Sequence, residues 1–176
     1  MASENKDDIL RRRAQKDEII TFFKRLIFMV ILIYVIFGVV FGFTSMKNND
    51  MSPKIGPGDL ILFYRLEKDF ASRDVVVFEK EGLRNTGRII AKGGDTVEIT
   101  DNNELLVNGA IVLEDNIFYS TPKYEQGISY PVKLMEDEYF ILGDFREGAK
   151  DSRYFGPIRS KEIKGKVITV LRRNEL

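Results

Sequence analysis

Residues 48–59 read NNDMSPKIGPGD; they follow the chain's long apolar run and open everything after it. Pro53 disfavours helical backbone at Ser52, and Gly56, Pro57 and Gly58 punctuate a tight turn before the apolar residues 60–63. The spacing predicts a short, rigid, extended segment over 50–53, with Asp50 as its pivotal side chain. Such a segment presents side chains to an edge or a cleft. Taken alone, it reads first as a polar linker between membrane and domain, and only the rest of the chain raises the reading of a site.

Upstream of this stretch, residues 26–43 run for 18 residues without a charge. As a helix rising about 1.5 Å per residue they span about 27 Å, close to one hydrocarbon core. Arg11, Arg12, Arg13, Lys16, Lys24 and Arg25 precede the run, and Lys47 alone follows closely. This bias predicts a cytoplasmic tail over 1–25, a transmembrane anchor over 26–43 and an extracytoplasmic domain over 44–176. A cleaved leader fits less well, because the run is long and ends Gly-Phe-Thr-Ser-Met without a small-x-small site.

Composition narrows the chemistry. The 176 residues contain no Cys and no His, which excludes disulfides, thiolate nucleophiles, Ser-His-Asp catalysis and histidine or cysteine metal sites. Only Ser, Thr, Lys, Tyr and carboxylates remain for acid-base or nucleophilic work. Beyond residue 43 the chain carries 20 basic and 22 acidic residues, well mixed, so no footprint for nucleic acid emerges. No cofactor or metal is expected.

Downstream, short β-like runs stand at 60–64, 75–78, 88–91, 96–100, 105–107, 110–112, 139–142 and 167–171, separated by turn residues. Asn108-Gly109 between two apolar runs is a strong hairpin signal. The fold class expected is mostly β, a barrel-like domain of coiled antiparallel sheets after one transmembrane helix. Residues 114–131 form the least regular stretch and read as a surface excursion.

Four segments now stand in order: NNDMSPKIGPGDLILF, RDVVVF, GRIIAKGGDTVEI and GDFREGAKDSRYFGPI. With the preceding anchor and the LLVNG hairpin, they resemble the bacterial type I signal peptidase family. Met51, Pro53, Gly58, Asp59, Arg88, Gly94, Asp95, Gly143, Asp144, Arg146, Asp151, Ser152, Arg153 and Gly156 match the family pattern. The working positions do not. Where the family has its nucleophilic serine this chain has Asp50, and where it has its lysine base this chain has Gly87. A serine that helps hold that lysine is replaced by Ala149.

The chemical consequence follows from the residues. A serine hydroxyl needs a neighbouring base, and a lysine serves only when burial lowers its pKa. Neither partner remains at these positions, and an aspartic mechanism needs a second carboxylate, which Gly87 does not supply. Removing the lysine avoids an unpaired buried ammonium, and Gly87 is expected to leave room, with Asp50 charged where solvent reaches it. The chain therefore reads as a catalytically inactive homologue. Decoys exist: Ser45-Met46 imitates the family dipeptide, Lys92 lies five residues past Gly87, and on an extended strand Ser52 would share the face of Asp50.

The resemblance also implies ion pairs of Arg88 with Asp144, and of Asp151 with Arg146 or Arg153, that lock the last segment to the third. It implies a groove that takes a peptide as an added strand between Asn48, Asp50, Met51, Ser52 and Pro53 on one wall and Leu83, Arg84, Asn85, Thr86 and Gly87 on the other. In that groove Asp50 would favour a basic or hydrogen-bond-donating group. Aspartate and glycine at the two positions make the chain similar to signal-peptidase-like proteins of Gram-positive pilus assembly. That likeness implies a membrane-anchored, non-proteolytic chaperone for pilin subunits, working beside a sortase. Two alternatives stand: an active signal peptidase with a rearranged dyad such as Ser52 plus a lysine, and an anchored structural partner without groove function.

Overall fold

The computed structural model describes residues 2–114, 117 and 119–172. Residues 115, 116 and 118 of the expected excursion, and 173–176 of the expected domain, lie outside the described residues. The chain divides into two compact units, Met1–Val40 and Phe41–Leu176.

The first unit is helix α1, Ala2–Tyr34, continued by a π-helical turn, Val35–Val40. Residues Gln15–Val40 make one stretch of 26 residues long and apolar enough to cross a membrane. Its apolar side chains from Ile27 to Val39 face outward on all sides, as lipid rather than a protein core would allow. The apolar run does not stay helical to residue 43, as its composition led us to expect. Residues 41–43 open strand β1, Phe41–Ser45, which pairs residue for residue with β2, Leu60–Tyr64. Pairing decides the boundary: Arg65 Nε donates to the Phe41 carbonyl at 3.0 Å, and the missing side chain of Gly42 leaves space for the Phe63 ring and the Arg65 guanidinium.

The second unit is mostly β. The further strands are β3 (Val75–Lys80), β4 (Leu83–Lys92), β5 (Thr96–Ile99), β6 (Leu105–Val107), β7 (Ala110–Ile111), β8 (Val132–Lys133), β9 (Glu138–Leu142), β10 (Ile158–Arg159) and β11 (Ile163–Leu171). A short helix α2, Ser152–Phe155, separates β9 from β10. Seven strands make one sheet in the order β1-β2-β11-β3-β4-β9-β10, and four make a second, β7-β6-β5-β8. Every pairing is antiparallel. Two-residue turns close the β3–β4 and β6–β7 hairpins at Glu81-Gly82 and Asn108-Gly109, all four residues having positive φ, which glycine and asparagine adopt at least cost.

Alternation along β3 shows how the large sheet uses both faces. Val76 and Phe78 join a core cluster with Ile89 and Ile141, whereas Val77 joins Met46, Met51, Ile55, Ile61 and Phe63. A third cluster, around Val97, Ile99, Phe140 and Leu142, fills the space between the two sheets. The described part of residues 114–131 contains neither helix nor strand.

Candidate functional site

Asp50 does not sit on an extended segment. Ser52 N–H donates to the Asn49 carbonyl at 2.9 Å and Ile55 N–H to the Met51 carbonyl at 3.1 Å, so residues 49–55 are wound into turns. The cause is burial: Met51 and Ile55, four residues apart, both sink into the cluster around Ile61 and Phe63, which a helical turn permits and an extended chain does not. Two expectations fall with the extended backbone. Met51 is wholly buried rather than lining a groove, and Ser52, two residues on in a turn, does not share the face of Asp50.

The Asp50 carboxylate is 7% exposed and is held by its own chain. Asn48 Nδ2 donates to Oδ2 at 2.7 Å. Burial pushes its pKa above the ordinary carboxylate range, and the neighbouring Asp151 pushes the same way; the Lys150 N–H, the Asn48 amide and Arg153 oppose them. Asp50 is therefore largely buried beside Asn48, where its position in the sequence led us to expect a side chain that solvent reaches. Its backbone is equally committed, the carbonyl accepting from Phe145 N–H at 2.9 Å.

Gly87 lies buried in the middle of β4, opposite Val76. A Cβ there would stand 2.6 Å from Ile141 Cγ2, 3.1 Å from the Leu142 carbonyl and 3.4 Å from Phe78 Cε1. The room expected beside Gly87 is thus filled by Ile141. Ala149, 1% exposed, packs against Gly143, where any side chain would also meet the Asp50 carbonyl at 2.5 Å. The three positions are consequently gathered about the Leu142–Gly143 peptide: Gly87 meets Leu142, while Asp50 and Ala149 meet Gly143.

The segment after β9 is fastened by ion pairs. Arg88 clasps Asp144 with Nε at 2.8 Å and Nη2 at 2.6 Å, and that hydrogen bonding holds the guanidinium more firmly protonated. Asp151 pairs with Arg153, receiving Nε at 2.9 Å and Nη2 at 2.8 Å, caps α2, and accepts the Gly143 N–H at 3.0 Å. Arg146 goes elsewhere, to Glu114 at 2.7 Å, with Thr121 and the Gly143 carbonyl as further acceptors. Arg146 and Arg153 are both fully buried. Glu114, Thr121 and Tyr124, whose ring lies 4.3 Å from the Arg153 guanidinium, carry no local sequence pattern and were not foreseen.

The second wall is a strand with one edge open. Strand β3 pairs with β4 from Leu83 to Arg88, but β9 pairs with it only from Arg88 to Lys92. Among the described residues no strand pairs with the other edge of residues 83–87. There Leu83 is 55% exposed and Arg84 exposed, while Asn85 and Thr86 are buried, the Asn85 amide donating to the Leu83 carbonyl at 3.2 Å. Among the described residues no lysine–serine hydrogen bond is found in this region: the Ser152 hydroxyl accepts the Ile141 N–H at 3.0 Å, Lys92 lies near Asp69, and the Lys150 ammonium rests 4.4 Å from the Tyr154 ring.

Residues 19–171 match the family model for signal peptidase, peptidase S26, and the chain belongs to that family. It is 29% identical over 164 residues to signal peptidase I of Bacillus amyloliquefaciens, covering 88% of both chains. It is 31% identical over 131 residues to the probable signal peptidase I-2 of Synechocystis, covering 68% of this chain and 57% of that one. A solved signal peptidase I from Enterococcus faecalis V583 is 30% identical, with a TM-score of 0.47 over 58% of this chain and 98% of the other.

Proposed function

We propose that the protein is a membrane-anchored, non-proteolytic member of the signal peptidase family that holds an extended client segment along the open edge of β4. The observation that carries this reading is position 87: a lysine there would have to drive its Cβ into Ile141, 2.6 Å away. Asp50 supports it from the other side of the Leu142–Gly143 peptide, being no hydroxyl and already holding the Asn48 amide on Oδ2 at 2.7 Å. Strand addition needs main-chain hydrogen bonds and not a dyad, so residues 83–87 retain a means of binding after the cutting machinery is gone. The resemblance to pilus-assembly proteins supplies the client class, a pilin awaiting linkage by a sortase. The basic residues before the apolar span support a cytoplasmic N-terminus with the β unit outside.

The full chain incubated with a secretory precursor is expected to release no cleaved product. A pilin client is expected to co-purify with it and to weaken by on the order of tenfold in Leu83→Asp with Arg84→Glu, at an unchanged melting temperature. The names of the relatives favour a second reading, an active signal peptidase with a rearranged dyad. Cleavage that Ser52→Ala abolishes would establish that reading and sink ours.

A further inference from the structure

Residues 54–55, the start of β3 and the end of β11, with the Arg88–Asp144 pair at one side, enclose an open depression of about 410 Å³. Its floor is apolar, formed by Val75, Val167 and Val170 over the buried Ile55. Five basic and two acidic side chains line it. Both carboxylates are taken: Asp144 by Arg88, and Asp74 by Lys166 at 2.7 Å. Among the described residues this leaves Lys54, Arg73 and Arg172 on the rim with no carboxylate partner, Arg73 donating only to the Leu113 carbonyl at 3.3 Å. Cations converging on one hollow raise a local positive potential that an anion relieves, and arginine and lysine together suit a phosphate.

Register sets Lys166, at one end of the hollow, opposite Tyr64, and Tyr64 opposite Phe41. Phe41 directly follows the apolar span that ends at Val40. Two strand spacings, about 10 Å, therefore separate Lys166 from β1, while Arg172, one residue past Leu171 opposite Leu60, stands at the other end of the hollow. Ile168, which lines the hollow, and Leu171 beside it are exposed, at 54% and 55%. A rim of free cations, an apolar floor and apolar neighbours match an amphiphile better than a free ion. We infer that this depression binds the headgroup of an anionic phospholipid, its phosphate on the cationic rim and its glycerol and first acyl carbons on the valines. Such a contact would orient the β unit on the membrane independently of any client.

The test uses the full chain in neutral maltoside detergent, titrated calorimetrically with dihexanoyl phosphatidylglycerol, dihexanoyl phosphatidylcholine and inorganic phosphate. Phosphatidylglycerol is expected to bind about tenfold more tightly than either of the others. Lys54→Gln with Arg172→Gln should weaken it about tenfold to thirtyfold, while Lys54→Arg with Arg172→Lys retains it and neither pair moves the melting temperature. Inorganic phosphate binding as tightly as the lipid would assign the hollow to a soluble anion and overturn the lipid assignment. Equal binding of the two lipids, no effect of charge removal, or an acidic heptapeptide competing below the lipid's own concentration would overturn it as well.

Discussion

At position 87 the obstacle to a side chain begins at its first carbon, because Ile141 Cγ2 and the Leu142 carbonyl already stand 2.6 and 3.1 Å from that point. Gly87→Ala should thus bear most of the cost of Gly87→Lys, about 1–3 kcal/mol of overpacking. In a double-mutant cycle, Ile141→Ala should cost less in the Gly87→Ala background than in the parent, and chemical denaturation of the four proteins reads the difference. Additive effects would show that Ile141 does not close the site. Asp50 makes a second prediction through its raised pKa. A carboxyl whose folded pKa lies above its unfolded value contributes stability that is complete below the unfolded value and lost as pH rises through the folded one. Asp50→Asn should therefore melt higher than the parent at neutral pH, and the two curves should converge in acid; a constant gap across that range would refute burial as the cause.

Among the elements, α2 and the residues leading into it behave as one fastened piece. Asp151 binds the Gly143 N–H, the Arg153 N–H and the Arg153 guanidinium, and Arg153 passes on to the carbonyls of Arg146 and Pro122. Removing one member strands a buried charge, so Arg153→Ala should cost about 3–5 kcal/mol in denaturant unfolding, far beyond the loss of an exposed pair such as Lys123 with Asp101. Since this piece also holds Phe145 to the Asp50 carbonyl, its loosening should expose the Asp50 segment to proteolysis before the melting transition. The ion pairs consequently hold the large sheet to the segment that crosses its end.

For the molecule as a whole, the boundary between the apolar helical unit and the β unit falls at Phe41. A soluble fragment of residues 41–176 should be more stable by about 1–3 kcal/mol than one of residues 44–176, which loses three of the five β1–β2 pairs and the Arg65 bond to Phe41. Equal melting temperatures for the two would show that β1 contributes nothing to the unit.

What the sequence determined by itself were the features written in local patterns. Apolar length marked the N-terminal apolar helix, alternation and the Asn108-Gly109 turn marked most strands, and the order of short motifs marked the family. Weaker elements, β1, β8, β10 and α2, escaped because each is short and set by its neighbours' hydrogen bonds more than by its own composition. Only the tertiary structure decided what surrounds Asp50, Gly87 and Arg146. Asp50 reads from the chain as an exposed recognition group and is buried; Gly87 reads as space and is filled; Arg146 finds Glu114 across thirty-two residues. The physical reason is common to all three. Room, solvation and the partner of a charge depend on residues distant in the chain, and no short stretch encodes the packing that brings them together.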